Sequence, residues 1–166
     1  MSALNWTADQ IGPKVEQFLR PLLQAARLEL DFEIGDGAGH DPAFENPDVT
    51  VRFSGRDLDV LLVNKGELLL ALEHLTLEAL RARPEEHSRL LFDARDYRLM
   101  RIEELRLSAE TAAERVRRTG LAFKFGPMNS RERRILHLAL RNDGAVRTES
   151  EGIAPRRQVV IYPVKL

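Results

Sequence analysis

The stretch Pro127-Met-Asn-Ser-Arg-Glu-Arg-Arg-Ile-Leu-His137 says most about how this chain folds and what it can bind. It opens a helical pattern that the sequence predicts to continue to about Asn142. Arg133 and His137 are four residues apart, so one face of that helix carries both side chains. A guanidinium offers a planar fork of donors to phosphate oxygens, and an imidazole can donate a hydrogen bond or stack on a base. The stretch therefore indicates a surface that suits a phosphate backbone.

Four further arginines are predicted to enlarge this cationic surface: Arg134, Arg141, Arg156 and Arg157. Arg141 shares with Arg133 and His137 a helical strip about 80° wide, and Arg134 flanks that strip. The last two stand at the entrance to the final predicted strand and extend the surface if they share its exposed face. Alone, the Arg-xxx-His spacing is weak evidence, because exposed arginine and histidine arise often at that spacing by chance.

Charge divides the chain into two halves. The formal net charge is −1, but residues 1–94 hold 9 Lys or Arg against 17 Asp or Glu, whereas residues 95–166 hold 16 against 9. The balances are therefore −8 and +7. This asymmetry predicts an acidic module beside a basic one that can concentrate a polyanion locally. Two differently solvated surfaces are the alternative reading.

Composition excludes several classes of protein. The 166 residues include 43% hydrophobic residues, enough for one ordinary domain or two small ones, and no cysteine, which excludes disulfides and thiolate metal sites. No apolar run approaches about 18 residues, and the N-terminus lacks the basic and apolar regions of a signal peptide. We therefore expect a cytoplasmic protein without membrane insertion.

The order of predicted elements indicates an α+β fold with a module boundary near residue 95. The first module, residues 1–94, shows an initial helix, two strands, a helix-turn-helix and a third strand. The second, residues 95–166, begins with a helix from Tyr97 to Thr119 and a strand at 121–125. The Arg133 helix follows, and two strands at 145–150 and 157–164 end the pattern.

The first module resembles a KH domain, in which a Gly-x-x-Gly loop between two helices clamps a nucleic-acid backbone. The corresponding tetrad here is Val63-Asn-Lys-Gly66, so the second glycine and a basic residue are present and a valine replaces the first glycine. The resemblance implies nucleic-acid contact through Lys65 and Gly66. An ordinary helix end and turn explains the same residues.

The second module resembles the R-3-H (Arg-xxx-His) domain, a family of single-stranded nucleic-acid binders. Its landmarks are Tyr97-Arg98, Arg101, Glu104-Leu105, Thr119-Gly120, Pro127-Met128, Glu132-Arg-Arg134, His137 and Ser150-Glu-Gly152. A KH domain followed by an R-3-H domain is similar to the bacterial Jag, or SpoIIIJ-associated, family of RNA-binding proteins. That resemblance implies a small single-KH protein as partner and a role in RNA regulation linked to cell division or envelope growth.

The leading hypothesis is binding of single-stranded RNA, and of single-stranded DNA as a further ligand, mainly through the Arg-xxx-His helix. The alternative is a protein-interaction scaffold whose acidic KH-like module recruits a partner. An enzyme is not expected, because there is no local nucleophile signature, no Gly-rich phosphate loop and no paired-histidine metal spacing. For the same reasons no cofactor and no metal are predicted.

Overall fold

The structure is a computed structural model that describes residues 5–37 and 41–164, so the signal-peptide argument concerns residues that begin outside this range. It contains two compact units, Met1–Leu99 (unit 1) and Met100–Leu166 (unit 2). Helices and strands are mixed along the chain, which confirms the α+β class predicted from the sequence. Within the described residues, no helix is both long and apolar enough to cross a membrane.

Unit 1 is a three-stranded sheet covered by helices. Its elements are α1 (Ala8–Ala25), β1 (Leu30–Asp36), β2 (Val49–Gly55), α2 (Leu58–Ala79), a 3-10 helix (Pro84–Arg89) and β3 (Leu90–Asp93). The sheet order is β1-β2-β3, with β1 antiparallel and β3 parallel to the central strand. The apolar positions of α1 recur at helical spacing and are buried with the inward side chains of the strands, so one core unites them.

The helix α2 is interrupted where the sequence predicts a turn. Val63 is extended, and Asn64, Lys65 and Gly66 have φ values of +53°, +61° and +69°. Left-handed backbone is unfavourable for residues other than glycine, so Asn64 and Lys65 are strained, and the three residues together interrupt the helix. The predicted helix-turn-helix is therefore present.

Two residues that the sequence placed in the second module make contacts in unit 1. The Tyr97 hydroxyl donates a hydrogen bond to the Lys65 carbonyl. Arg98 is buried and its guanidinium contacts Glu73 at 2.7 Å. The predicted domain boundary near residue 95 thus differs from the boundary between the compact units, which falls after Leu99.

Unit 2 contains most of one long helix, a short helix and a second three-stranded sheet. The long helix α3 (Tyr97–Thr119) is followed by β4 (Phe123–Lys124), α4 (Ser130–Ala139), β5 (Val146–Glu151) and β6 (Gln158–Pro163). The sheet is antiparallel with the order β4-β6-β5. The shorter helix α4 packs against β5 and β6, which sets the position of the Arg-xxx-His face.

The helix α4 ends earlier than the sequence predicts. Leu140 is its C-cap, with φ −105° and ψ 5°, and the Asp143 amide donates to the Leu140 carbonyl at 3.1 Å. Asn142-Asp-Gly144 is a turn-forming sequence, and it redirects the chain into β5. Arg141 therefore lies in that turn, and the helical wheel that grouped it with Arg133 is wrong.

Candidate nucleic-acid interface

The position of α4 is fixed by contacts at its first turn. The Asn129 side chain accepts a hydrogen bond from the Glu132 amide at 2.9 Å, and Glu132 accepts one from the Asn129 amide at 3.3 Å. This capping box satisfies amides that a helix start leaves without partners. Glu132 also accepts from Arg101 on α3, with Nε and a terminal nitrogen at 2.8 and 2.7 Å. Glu132 thus both starts α4 and ties it to the long helix.

His137 is held against the sheet by two hydroxyl groups. Its Nδ1 lies 2.7 Å from Thr148 Oγ1, and its Nε2 lies 2.8 Å from Ser150 Oγ. Thr148 and Ser150 are two residues apart on β5, so both side chains point to the same side of the sheet. Because both ring nitrogens already have partners, the half-buried imidazole has no unpaired N–H for a ligand, and contact through the ring face remains.

The surroundings of His137 favour its neutral form. Burial lowers the pKa of His137, and the nearby positive charge of Arg133 lowers it further. A neutral imidazole between two hydroxyls has a fixed orientation, since it can donate to one oxygen and accept from the other. The geometry therefore supports stacking on a base more than a charge contact to phosphate.

Arg133 lies beside a second arginine instead of a carboxylate. Burial lowers the pKa of Arg133, and the positive charge of Arg157 lowers it further. Its Nε is buried and has no hydrogen-bond partner within the described part of the chain. Arg157 reaches toward the same strand as His137, with a terminal nitrogen 3.4 Å from the Ser150 carbonyl. Two neighbouring guanidiniums without a carboxylate between them can bind a phosphate.

The remaining predicted arginines differ in position. Arg134 is exposed on α4 next to Arg133, and Arg156 is exposed immediately before Arg157. Arg141 is exposed in the turn after α4 and is not part of the helix face. As far as the described residues show, no carboxylate forms an ion pair with these three arginines or with Arg133 and Arg157.

The structure does not bring Gly66 to the surface of unit 1. Gly66 is buried, and a Cβ atom built on it would lie 2.8 Å from Cζ of the Tyr97 ring. Lys65 is exposed, but its carbonyl accepts the Tyr97 hydroxyl. The tyrosine therefore occupies the side of the turn where the predicted contact through Gly66 needs open backbone.

Sequence reasoning singled out Arg133 and His137 but gave no role to the residues that hold them. Thr148 and Ser150 orient the imidazole, and Glu132 with Arg101 positions the helix. One signal was present in the sequence: two hydroxyl residues at alternate positions of a predicted strand share one side of a sheet. Their pairing with His137 depends on long-range packing, which periodicity does not specify.

Comparison with known proteins finds one family model and several relatives. The R-3-H domain family matches residues 103–163. "RNA-binding protein KhpB" of Clostridium symbiosum is 30% identical over 153 residues, and the alignment covers 92% of this chain and 66% of that protein. The protein of the same name from Bacillus subtilis is 33% identical over 144 residues, or 84% of this chain and 69% of that protein.

A third relative shows how much of such proteins this chain spans. "RNA-binding protein KhpB" of Lactiplantibacillus plantarum is 33% identical over 129 residues, which are 78% of this chain but 40% of that protein. The chain thus spans between 40% and 69% of the length of these three relatives.

Proposed function

The chain belongs to the KhpB family, and from this premise we propose that it binds single-stranded RNA mainly through α4 and the residues beside it. The observation that carries the proposal is Arg133, whose buried Nε has no hydrogen-bond partner among the described residues and whose charge is near that of Arg157. Holding two positive charges near each other raises the electrostatic free energy, and a bound ligand of negative charge lowers it. A phosphate group supplies that charge and accepts hydrogen bonds from both.

In this arrangement, different residues contact the phosphate backbone and the bases of the RNA. Arg133 and Arg157, with the exposed Arg134 and Arg156 beside them, contact phosphates, while the neutral ring of His137 stacks on a base. Phosphate contacts carry no sequence information, so base discrimination is modest. Single-stranded DNA also offers phosphates and exposed bases, and it is expected to compete with RNA. Lys65 is a separate, weaker contact in unit 1, and Arg141 adds charge from the turn.

Salt-dependent binding tests this proposal. Binding of a labelled oligouridylate is measured by fluorescence anisotropy over a range of salt for the parent and the Arg133→Ala/His137→Ala variant. We expect the variant to bind about tenfold or more weakly, because charged hydrogen bonds and base stacking are both lost. Its plot of log affinity against log salt should be shallower by about 0.7 for each phosphate contact removed.

The matched control is Arg106→Ala, which removes one positive charge from an exposed face of α3. Arg106 forms ion pairs with Glu103 and Glu110, at 3.6 and 3.9 Å, so its charge is already neutralised and is less available to a phosphate than that of Arg133. We expect its binding to stay close to that of the parent. Equal binding by the parent and a folded Arg133→Ala/His137→Ala variant would show that the proposal is wrong.

Unit 1 has a KH-like order of elements, and a second proposal assigns it a contact with protein. Its turn is closed by Tyr97, and exposed apolar side chains stand on both parts of α2, with Val60 44%, Val63 55% and Leu75 47% exposed. The acidic balance of residues 1–94 opposes a polyanion and allows a basic partner. A small single-KH protein is the expected partner, and co-purification with and without nuclease separates direct contact from bridging by RNA.

The family relationship and the absence of cysteine in all 166 residues support the cytoplasm as the place where this chain acts. Regulation of RNA linked to cell division or envelope growth is the proposed role. Depletion of the gene followed by measurement of cell length and of RNA bound to the chain tests that role. Unchanged growth and no recovered RNA would contradict it.

A further inference from the structure

An open groove in unit 2 lies between the second half of α3 and the short strand β4. Its volume is about 670 Å³, within the range of small-ligand sites. The charged residues Arg115, Arg118 and Glu114 line it from α3, and Phe123 and Phe125 line it on the side of β4. None of its lining residues belongs to the surface proposed above for RNA.

Two aromatic rings form one wall of the groove. Phe123 and Phe125 are half-buried, and their ring centroids are 5.1 Å apart with an interplanar angle of 76°. They alternate along the chain, so both point to one side of the sheet, and the Phe125 amide donates to the Val159 carbonyl at 2.9 Å. The rings are thus fixed at the edge of a sheet with part of their surface open to a planar ligand.

Two arginines from α3 supply positive charge to the same groove. The guanidinium carbon of Arg115 lies 5.7 Å from the centre of the Phe123 ring, and Arg118 is exposed one helical turn further along. Neither arginine forms an ion pair with any described carboxylate. Rings beside unpaired guanidiniums are the combination that binds bases and phosphates of a single strand.

The groove lies on the same side of the sheet as His137. Phe123, Ile161 and Thr148 are opposite one another on the three strands, and Ser150 is opposite Val159 in the next row. Phe125, which bonds to Val159, continues that second row. By strand spacing, it lies about 10 Å from Ser150 across the sheet. Val159 and Ile161, which lie between the two places on this side, are buried, so a single strand bound at α4 reaches the groove over the residues that cover them.

We propose that Phe123, Phe125, Arg115 and Arg118 form a second subsite, which stacks on a base and contacts a phosphate of the same single strand that α4 binds. This subsite rests on the proposed RNA function and extends it. Leu107, an exposed residue of the groove lining, suits an apolar protein segment as well, but the two arginines without carboxylate partners next to the two rings favour a nucleotide.

The test compares a strand that has bases with one that lacks them. Affinity for an oligouridylate and for an abasic oligonucleotide of equal length is measured for the parent and for Phe123→Leu/Phe125→Leu. Leucine keeps the apolar packing and removes the ring faces, so folding is preserved. We expect the variant to bind the oligouridylate about tenfold more weakly than the parent and the abasic strand about equally. Phe18→Leu, on α1 of unit 1, is the matched control.

Results other than the expected one distinguish a failure of the subsite from a failure of the α4 proposal. If Phe123→Leu/Phe125→Leu binds the oligouridylate as well as the parent while Arg133→Ala/His137→Ala binds weakly, the subsite is wrong and the α4 proposal stands. If Arg133→Ala/His137→Ala binds as well as the parent, the α4 proposal fails by itself. Concentration-dependent self-association of the parent in sedimentation, abolished by the leucine variant, would make the groove a protein contact and would overturn the subsite.

Discussion

Arg98 in unit 1 is buried and Arg133 in unit 2 is partly buried, and the two charges differ in their partners. Arg98 is 6% exposed and contacts Glu73 at 2.7 Å, the Phe92 carbonyl at 3.0 Å and Glu45 at 3.7 Å. Arg133 has a buried Nε without a partner among the described residues and a second arginine as its neighbour. A charge matched inside the protein serves the fold, whereas a charge left unmatched is available to a ligand.

The same contrast separates the two regions that the sequence predicted to bind RNA, the turn in α2 and the surface of α4. In unit 1, Tyr97 closes the turn at Lys65 and covers Gly66. In unit 2, the arginines near α4 that were predicted to bind RNA stay without carboxylate partners among the described residues. Internal pairing, and not sequence resemblance alone, thus distinguishes a surface kept for structure from one that can bind a polyanion.

The largest effect is expected from Arg98→Ala, because it removes the cation that contacts the buried Glu73 and the partly buried Glu45. The free energy of unfolding of the chain should fall by about 3 to 5 kcal/mol, as for other broken buried ion pairs. Urea denaturation followed by circular dichroism measures this loss. The control is Arg95→Ala, which removes an exposed pair with Asp59 and should cost about 1 kcal/mol or less. A similar small cost for both variants would remove the basis of the comparison.

The next effect concerns the closed turn. Gly66→Ala places a Cβ atom 2.8 Å from the Tyr97 ring at a φ of +69°, so it adds a steric clash to backbone strain. We expect a loss of about 1 to 3 kcal/mol in the free energy of unfolding. Gly120→Ala is the matched control, since its φ is +68° but nothing lies within 4 Å of the added atom.

Only the difference between these two variants reports on Tyr97, because the strain at positive φ is common to both. If Gly66→Ala were no less stable than Gly120→Ala, the tyrosine would not restrict the turn. The contact through Gly66 would then become plausible again.

Periodicity predicted most elements of this fold, because a buried helix face or strand side needs a regular spacing of apolar residues. The helix from Tyr97 to Thr119 has the predicted bounds, and the strands at 146–151 and 158–163 differ from the prediction by about one residue. The end of α4 was predicted wrongly, since Leu140 continues the apolar pattern but is buried at a non-helical C-cap.

The site was predicted in part for a similar reason. Arg133 and His137 are four residues apart, so local geometry alone places them on one helix face. The partners of His137 lie 11 and 13 residues further along the chain, and those of Arg98 include residues 25 and 53 positions earlier. Such pairs depend on strand register and on how helices pack, which local patterns do not determine.

A smaller effect is expected from pH. Burial, followed by the charge of Arg133, lowers the pKa of His137 below its ordinary value of 6.5 in the folded protein. The unfolded chain therefore binds the proton more readily, so the stability from this residue is present above about pH 6.5 and is lost as the pH falls below it. Urea denaturation at a series of pH values measures this slope, and His137→Gln should reduce it. An equal slope in both proteins would contradict the direction of the shift.

The smallest effect is expected from Ser150→Ala, which removes one of the two hydroxyls that orient His137. The free energy of unfolding should fall by about 1 kcal/mol, the usual net value of one hydrogen bond. Affinity for an oligouridylate should fall by a few-fold at most, because Thr148 still holds Nδ1 at 2.7 Å. Ser54→Ala, at an exposed position of β2, is the control for loss of a serine hydroxyl from a strand.

The Thr148→Val/Ser150→Ala variant extends this test to both hydroxyl partners of His137. Its affinity for the oligouridylate should approach that of His137→Ala, because a ring without either partner no longer has a fixed orientation. If the double variant bound as tightly as the parent, His137 would not need its partners, and its ring would contribute little to the surface that Arg133 and Arg157 form.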